Sequence, residues 1–256
     1  MLALPGEPLF LAGWERTLFI HYEADPALLQ RQIPFQVDLY DGRAFVSLVA
    51  FTLSRMRPRI GGRLGAWLFQ PIATHEFLNV RTYVRHGGET GIYFLAEWLS
   101  NPLSVRLGPR IFGLPYRLGT LTYRQAADGC TLHGSVGARE GQFVYEGKIR
   151  GTDFAPSEAD SPTEFVLERY TAFTERKKRA RFFRVWHSPW EQTPAEIEVK
   201  ADSLIASTGP WWKNASYVGA NYSPGAEVWM GRPHRIDWPA QRSLAVATSL
   251  SSAHRA

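Results

Sequence analysis

Short segments with strand character recur along most of this chain, and they restrict the folds that it can adopt. Each segment is rich in β-branched and aromatic residues and is bounded by Gly, Pro, Asp or Asn, which is typical of strands between turns. The pattern therefore predicts a protein built mainly of β-strands. The predicted strands are residues 14–22, 43–53, 76–85, 91–98, 116–124, 131–138, 142–150, 182–187 and 195–200.

Helix signals are few, and they do not alternate regularly with the strands. A capping residue followed by proline predicts a helix start at each of Asp25, Asn101 and Ser161. This order argues against a doubly wound parallel sheet and favours a β-rich α+β fold, a barrel or curved sheet with a few covering helices. No long linker divides the chain, so we expect one domain over residues 1–239 and a flexible tail over residues 240–256.

The composition supports a packed core and a lined cavity, because 45% of the residues are hydrophobic and 13% are aromatic. The longest apolar runs are too short for a membrane span, and the first ten residues do not resemble a signal peptide. The single cysteine, Cys130, agrees with a reducing compartment. We therefore expect a cytoplasmic protein without a membrane partner.

Four motifs occur in order along the chain: E-x-x-N-V-R-T-Y-V at Glu76–Val84, R-I-F-G-L-P-Y at Arg110–Tyr116, E-R-Y at Glu168–Tyr170 and H-x-P-W at His187–Trp190. With these motifs the chain resembles the bacterial YqjF-like family of domains of unknown function and, more remotely, the acetoacetate decarboxylase family. The resemblance implies a mostly antiparallel, cone-shaped β-barrel with a few helices outside and a pocket inside.

The decarboxylase resemblance also shows a departure at the position of the catalytic amine. Glu76 falls where that family has its active-site glutamate, whereas Tyr116-Arg117 replaces the lysine pair of the pattern G-R-E-x-x-G-[YF]-P-K-K. A phenol forms no imine, and a guanidinium stays protonated. The first lysine in the chain is Lys148, which we interpret as part of an exposed strand edge. We therefore expect no Schiff-base decarboxylation.

Glu76 and Tyr116 are the candidate catalytic residues for chemistry without a covalent intermediate. Strand alternation groups Glu76 with apolar side chains, where a carboxylate is costly unless it is paired or protonated. It is either a pocket acid or base with a raised pKa, or half of a buried ion pair with Arg81 or Arg110. Tyr116 either donates a hydrogen bond to a substrate carbonyl or enolate, or packs as a core tyrosine.

Arg81, Arg110 and His187 are the candidate substrate-binding residues, with a structural role as the alternative for each. Guanidinium groups bind carboxylate or phosphate through two parallel hydrogen bonds. A histidine at the end of a strand can act as a general base. For Glu168–Tyr170 we favour a helix-end salt bridge and a packing tyrosine.

Other kinds of site find little support in the sequence. The seven histidines are dispersed without metal-ligand spacing, and no glycine-rich phosphate loop is present, so we expect no metal and no cofactor. The basic run Arg176–Arg181 predicts a solvated hairpin tip, with nucleic-acid contact as a remote alternative.

The sequence thus favours a small-molecule pocket inside a β-barrel, for an apolar compound that carries a carbonyl or a carboxylate. As an enzyme, such a protein would perform proton transfer or lyase-type chemistry on a small carbonyl compound. A non-enzymatic ligand-binding or sensing protein is the alternative. Exposed strand edges also allow a homodimer.

Overall fold

The computed structural model describes residues 6–236. The predicted C-terminal tail, residues 240–256, lies outside them. Within the described residues the structure is a strand-rich protein with short helices. Its strands are β1 (Pro8–Ala24), β2 (Gln36–Val37), β3 (Ala44–Pro58), β4 (His75–His86), β5 (Glu89–Leu99), β6 (Tyr116–Leu118), β7 (Thr120–Gln125), β8 (Thr131–Ala138), β9 (Gly141–Ile149), β10 (Thr171–Arg176), β11 (Arg179–Trp186), β12 (Thr193–Ala201), β13 (Ser216–Gly231) and β14 (His234–Arg235).

The three helices predicted from capping signals form as expected. Asp25, Asn101 and Ser161 each accept backbone N–H bonds in the first turn of their helix, and proline follows each of them. Two further short helices were not predicted, and none of the described helices is long and apolar enough to cross a membrane. The helices are α1 (Pro26–Gln32), α2 (Gly62–Phe69), α3 (Pro102–Ile111), α4 (Pro162–Leu167) and α5 (Ser203–Ala206), with 3-10 turns at Gln70–Ile72 and Pro210–Asn214.

All of these strands belong to one sheet, and one pairing closes part of it into a ring. The strands are hydrogen-bonded in the order β14-β11-β10-β5-β4-β3-β1-β13-β12-β9-β8-β7. An additional pairing of β11 with β13, through Val185–Met230 and Trp186–Trp229, joins the two arms of this order. Strands β1, β3, β4, β5, β10, β11 and β13 therefore form a closed ring, whose neighbours are antiparallel except β5 and β10. The predicted fold class is confirmed.

The ring separates two hydrophobic cores. The inner core contains side chains from every ring strand: Phe19, Val49, Tyr83, Phe94, Ala172, Phe183 and Val228. The outer core lies on the other face, where Leu78 and Val80 of β4 pack with residues of β8, β9, α1 and α5. Because side chains alternate along a strand, β4 contributes to both cores. This alternation decides which polar side chains face the interior.

Besides the two-residue strands β2 and β14, which were not predicted, the sequence pattern was wrong about two longer segments. The strand predicted over residues 116–124 divides at Gly119 into β6, which pairs in parallel with β5, and β7, which pairs with β8. The long strand β13 was not predicted, because Gly219 and the run Ser223-Pro224-Gly225 interrupt its pattern. It forms because β1 pairs with it over nearly its whole length, so tertiary pairing overrides a weak local propensity.

Candidate functional site

The interior of the ring is lined by aromatic side chains in contact with one another. Trp14 stacks on Phe51 with ring centroids 4.5 Å apart, and Phe51 stacks on Phe77 at 5.1 Å. Trp190, from the H-x-P-W motif, lies 6.0 Å from Trp14 and 5.3 Å from Phe19. The motif therefore places a fully buried tryptophan inside the ring.

A buried chain of hydrogen bonds crosses the inner faces of β13, β1, β3 and β4. His21 Nε2 donates to Asn221 Oδ1 at 3.2 Å, and its Nδ1 accepts from Ser47 Oγ at 2.7 Å. Ser47 in turn contacts the Tyr83 hydroxyl, which donates to the Val166 carbonyl at 2.8 Å. Burial, followed by the nearby Arg81 cation, lowers the pKa of His21 to about 3. The imidazole is therefore neutral, as these donor and acceptor roles require.

Arg81 lies on the same inner face and forms no salt bridge among the described residues, although its charge acts on the Glu168 carboxyl and opposes the larger effect of burial on the pKa of that group. The residue is 3% exposed. Its Nη2 donates to the Val166 carbonyl at 3.0 Å and its guanidinium lies 5.5 Å from the Phe19 ring, but its Nε has no hydrogen-bond partner. The ion pairs found over residues 6–236 do not include Arg81. A buried guanidinium stays charged, so it requires an anion or water.

Further inner-face polar atoms are buried without a protein partner. They are Trp14 Nε1, both ring nitrogens of His75, Asn79 Oδ1 and Glu97 Oε2. Burial lowers the pKa of His75 to about 4, although the adjacent Glu76 opposes this shift. Burial of a polar group without a hydrogen bond is unfavourable. Five side chains with such atoms, counting Arg81, face one interior, which is the arrangement of a site that takes up water or a polar ligand.

Glu97 is the functional candidate that the sequence reasoning missed. It is 4% exposed, and burial alone raises the pKa of its carboxyl well above the ordinary value. On β5 it pairs with Asn79 of β4 on one side and with Tyr116 of β6 on the other. The signal was a single acidic residue within the otherwise apolar end of β5, Ile92–Leu99.

Tyr116 enters the interior beside Glu97. Its ring packs edge-on against Phe77 at 5.6 Å, and burial, reinforced by the Glu97 carboxylate, raises the pKa of its hydroxyl. Gly113, three residues earlier, has a φ of +80°, a left-handed turn that favours glycine. The turn directs the chain from α3 into β6 and so places Tyr116 next to β5.

Glu76 and Tyr116 do not come together. Glu76 precedes the inward-facing Phe77 on β4, so its carboxylate lies on the outer face, where it accepts a hydrogen bond from Ser100 at 3.1 Å. Its expected ion pair with Arg81 or Arg110 is absent from the described salt bridges, because Arg81 faces the interior. The catalytic role of Glu76 stays a prediction, without the predicted partner.

Arg110 also lies away from the interior. It is exposed on α3 and donates to the Arg106 carbonyl at 2.8 Å. The helix directs its side chain outwards, away from Arg81, and its substrate-binding role stays a prediction.

His187 is buried next to the E-R-Y motif. Its Nδ1 donates to the Ser188 carbonyl at 2.8 Å, and its ring stacks on Tyr170 with centroids 4.7 Å apart. Burial lowers its pKa to about 4. A neutral, packed imidazole matches the structural interpretation, and its binding role stays a prediction.

The E-R-Y motif forms a salt bridge at the end of α4 and a packing tyrosine, as predicted. Glu168 accepts hydrogen bonds from the Tyr170 hydroxyl at 2.5 Å and the Trp190 N–H at 2.8 Å, and burial raises the pKa of its carboxyl. The salt bridge of this motif joins Arg169 to the buried Asp38 at 3.2 Å, not to Glu168.

An open cleft of about 490 Å³ lies beside this motif at the α4 end of the ring. Glu168, Arg169 and Tyr170 line it together with Tyr40, Phe165 and Pro189. Glu168 thus contacts both the cleft and the backbone of Trp190, whose ring is inside the molecule.

All five lysines are exposed: Lys148, Lys177, Lys178, Lys200 and Lys213. Lys148 lies opposite Glu196 on the β9–β12 pair, exposed among scattered charges as expected, although β9 is paired on both sides and is not the predicted strand edge. The interior therefore holds no amine that could form an imine. Over residues 6–236, no group of three or more His, Cys, Asp and Glu side chains could hold a metal ion.

The strand ring, with its buried polar interior, is that of an acetoacetate decarboxylase-like fold. The interior of this chain lacks the lysine amine expected for the decarboxylase. The chain belongs to the DUF2071 family, described as an uncharacterized conserved protein, whose profile matches residues 11–227. It is 27% identical over 201 residues to the uncharacterized protein YqjF of Bacillus subtilis, covering 77% of this chain and 80% of that protein.

Solved structures show the fold relationship at low sequence identity. Acetoacetate decarboxylase from Legionella pneumophila superposes with a TM-score of 0.61 and 16% identity, covering 93% of this chain and 92% of that one. An acetoacetate decarboxylase-like enzyme from Sphingomonas wittichii gives 0.61 and 14%, covering 90% and 94%. The enduracididine biosynthesis enzyme MppR, complexed with pyruvate, gives 0.60 and 13%, covering 92% of each chain.

Proposed function

We propose that the interior of the ring binds a small apolar molecule that carries a carboxylate or a carbonyl group. The observation that carries this proposal is Arg81, a buried guanidinium that forms no salt bridge within residues 6–236 and whose Nε has no hydrogen-bond partner there. A ligand carboxylate would neutralise the charge and supply an acceptor for the free Nε–H. The aromatic side chains of Trp14, Phe51 and Trp190 would surround the apolar part of the ligand.

The remaining unpartnered groups suit a carbonyl-bearing ligand. The indole N–H of Trp14 and the neutral imidazole of His75 can donate to a carbonyl oxygen. Glu97 retains its proton to higher pH than an exposed glutamate, so it can donate as well. The site therefore offers donors to both ends of a keto acid or a related molecule.

The same residues support proton transfer without a covalent intermediate. The Tyr116 hydroxyl can stabilise an enolate by a hydrogen bond, and the neighbouring Glu97 carboxyl takes the acid–base role first expected of Glu76. A non-enzymatic ligand-binding or sensing protein uses the same Arg81 contact without turnover. The two differ in one result: Tyr116→Phe and Glu97→Gln abolish product formation in the enzyme and leave ligand response unchanged in the sensor.

The complex of MppR with pyruvate supplies a probe of suitable chemistry. Wild type and Arg81→Met are titrated with pyruvate, acetoacetate and phenylpyruvate by calorimetry and thermal shift. We expect at least one carboxylate to bind the wild type and to bind Arg81→Met roughly ten- to a hundredfold more weakly, the loss of one charged hydrogen bond.

Arg124→Met is the matched control, since Arg124 is exposed on β7. A second variant, Arg81→Lys, keeps the charge but lacks the Nε donor, and should bind with intermediate affinity. The proposal fails if none of these carboxylates binds the wild type, or if Arg81→Met binds them equally well.

Nucleic-acid contact through residues 176–181 receives less support. The predicted hairpin tip is present as the turn between β10 and β11. However, Arg176 and Arg181 donate to the Pro109 and Ile111 carbonyls, so two of its cations already have partners on α3.

A further inference from the structure

Helix α2 presents large apolar side chains to solvent. Leu64, Trp67 and Leu68 are 68%, 67% and 62% exposed, and their spacing places them on one face of the helix. Ile60, just before the helix, is 79% exposed. The opposite side of α2 holds it to the protein, where Phe69 packs against Phe10 at 5.4 Å. The exposed residues are therefore not needed for core packing.

Helix α3 continues this apolar surface. Phe10 contacts Phe112 at 6.0 Å as well as Phe69, and the Asn101 side chain donates to the Pro71 carbonyl at 2.6 Å. Both helices therefore contact the 3-10 turn Gln70–Ile72, which joins them at one end of the ring. Leu103 and Ile111 of α3 are 42% and 41% exposed. We call the combined surface the α2–α3 face: Ile60, Leu64, Trp67, Leu68, Leu103 and Ile111.

The α2–α3 face has a basic rim. Residues 54–75 and 98–118, which contain both helices, include seven arginines and no Asp or Glu. Arg63, Arg106 and Arg110 are exposed on the helices themselves. The ends of the hairpin at Lys177-Lys178 are tied to the C-terminal end of α3 through the Arg176 and Arg181 hydrogen bonds. Acidic residues nearby are Glu7, paired with Arg59, Glu15, paired with Arg55, Glu140, paired with Arg117, and the half-buried Glu175, so Arg57, Arg63, Arg106 and Arg110 form no ion pair among the described residues.

We propose that the α2–α3 face docks the protein on the surface of an anionic lipid bilayer. Leucine, isoleucine and tryptophan side chains enter the headgroup region, where the amphipathic indole is favoured. The surrounding arginines and lysines contact lipid phosphates, each adding attraction to an anionic leaflet. This contact needs no membrane-spanning segment. The expectation of no membrane partner rested only on the absence of spans and of a signal peptide, so the proposal revises it.

Two other occupants fit the surface less well. In a two-fold dimer through this face, the basic rim of one copy would meet the same rim of the other, which like-charge repulsion disfavours. A nucleic acid would match the rim but would leave the central leucines and isoleucines against a phosphate backbone. An anionic bilayer matches both the apolar centre and the basic rim.

Vesicle co-sedimentation of the full chain tests the proposal. Vesicles of phosphatidylcholine alone are compared with vesicles that also contain phosphatidylglycerol. We expect binding only to the anionic vesicles, weakened by salt. Leu64→Gln/Leu68→Gln should lower the partition coefficient roughly tenfold per leucine, because each side chain loses apolar burial. Arg63→Gln/Arg106→Gln should lower binding to the anionic vesicles as well.

The matched control is Val218→Gln on β13, 42% exposed and outside the α2–α3 face. It should bind like the wild type. Circular dichroism melts of all variants are the check that each one folds. The proposal is overturned if the wild type binds neither vesicle or binds both equally. It is also overturned if the leucine variant binds normally, as for a purely ionic contact, or if that variant only dissociates a dimer seen by sedimentation velocity. None of these results bears on the carboxylate site, whose test uses Arg81.

Discussion

Glu97 and Tyr116 occupy paired positions on the parallel strands β5 and β6, where Glu97 is buried and the half-buried Tyr116 packs against the inner core. Burial raises the pKa of each group, and the Glu97 carboxylate further raises that of Tyr116. The interior thus favours the protonated form of both residues. Glu97 is therefore the carboxylate beside Tyr116, where the sequence had suggested Glu76.

Replacing Glu97 with Gln should stabilise the protein at alkaline pH. The pKa of Glu97 is raised in the folded state, so the folded protein retains a proton that the unfolded chain releases, and stability falls as pH rises above about 4.5. A glutamine at position 97 does not ionise, so the variant does not lose stability in this way as the pH rises. At pH 8 we expect a gain of about 1–2 kcal/mol, or roughly 2–8 °C in Tm. Thermal melts at pH 4 and pH 8 measure it.

Glu191→Gln serves as the control, because Glu191 is exposed. It should leave the pH dependence unchanged. A Tm for Glu97→Gln that stays at or below that of the wild type at pH 8 would contradict the interpretation of Glu97 as a penalised buried carboxyl.

Acid should destabilise the protein through its buried histidines. The pKa values of His75 and His187 are lowered to about 4, and that of His21 to about 3, chiefly by burial. Between pH 6.5 and pH 4 the unfolded chain therefore takes up protons that the folded protein does not, and stability is lost as pH falls. His75→Gln should remove about 1–3 kcal/mol of this loss, measured by urea unfolding across that range.

His133→Gln provides the comparison, since His133 is half-exposed beside Glu146 on the β8–β9 pair. We expect it to keep the slope of stability against pH that the wild type shows. An unchanged slope in His75→Gln would mean that this imidazole is already solvated in the folded state.

Asp38 should be required for stability. It is 2% exposed, accepts hydrogen bonds from Arg85 and forms a salt bridge with the buried Arg169. Asp38→Asn leaves the Arg169 charge buried and unpaired, which typically costs about 3–5 kcal/mol. Urea unfolding measures the loss. The exposed pair of Glu23 and Arg43 gives the matched variant, Glu23→Gln, with an expected cost below about 1 kcal/mol. Equal costs would show that burial does not distinguish the two pairs.

Gly108 should be required for the position of Tyr116. Alanine favours helix by about 1 kcal/mol over glycine, but a Cβ at Gly108 would overlap the Tyr116 ring. We expect Gly108→Ala to destabilise the protein by about 1–3 kcal/mol, as for other overpacked sites. Thermal melts test this, with Gly137→Ala as the control, because a Cβ there meets no atom within 4 Å.

A double mutant identifies the cause of that loss. In a Tyr116→Ala background the overlap is absent, so Gly108→Ala should no longer destabilise, and the two substitutions should couple by more than about 1 kcal/mol. Simple additivity of the two losses would place the strain elsewhere in α3.

Most elements could be predicted because their signals are local. The capping residues Asp25, Asn101 and Ser161 hold the starts of their helices with their own side chains. Strands β3 and β4, rich in β-branched and aromatic residues, form where they were predicted, although β3 continues to Pro58. Strand β13 could not be predicted, because its glycines and Pro224 weaken the pattern and its stability comes from pairing with β1, about 200 residues away in sequence.

For the site, the sequence by itself determined that no lysine precedes Lys148 and that Tyr116 stands where the resembling decarboxylases have a lysine, so the absence of imine chemistry was predicted before any contact was known. Only the tertiary structure decided which carboxylate joins Tyr116. Strand alternation assigns a residue to one of two faces, but not to the inside or the outside of a ring. That assignment follows from ring closure through β11 and β13, which places Arg81 and Glu97 inside and Glu76 outside.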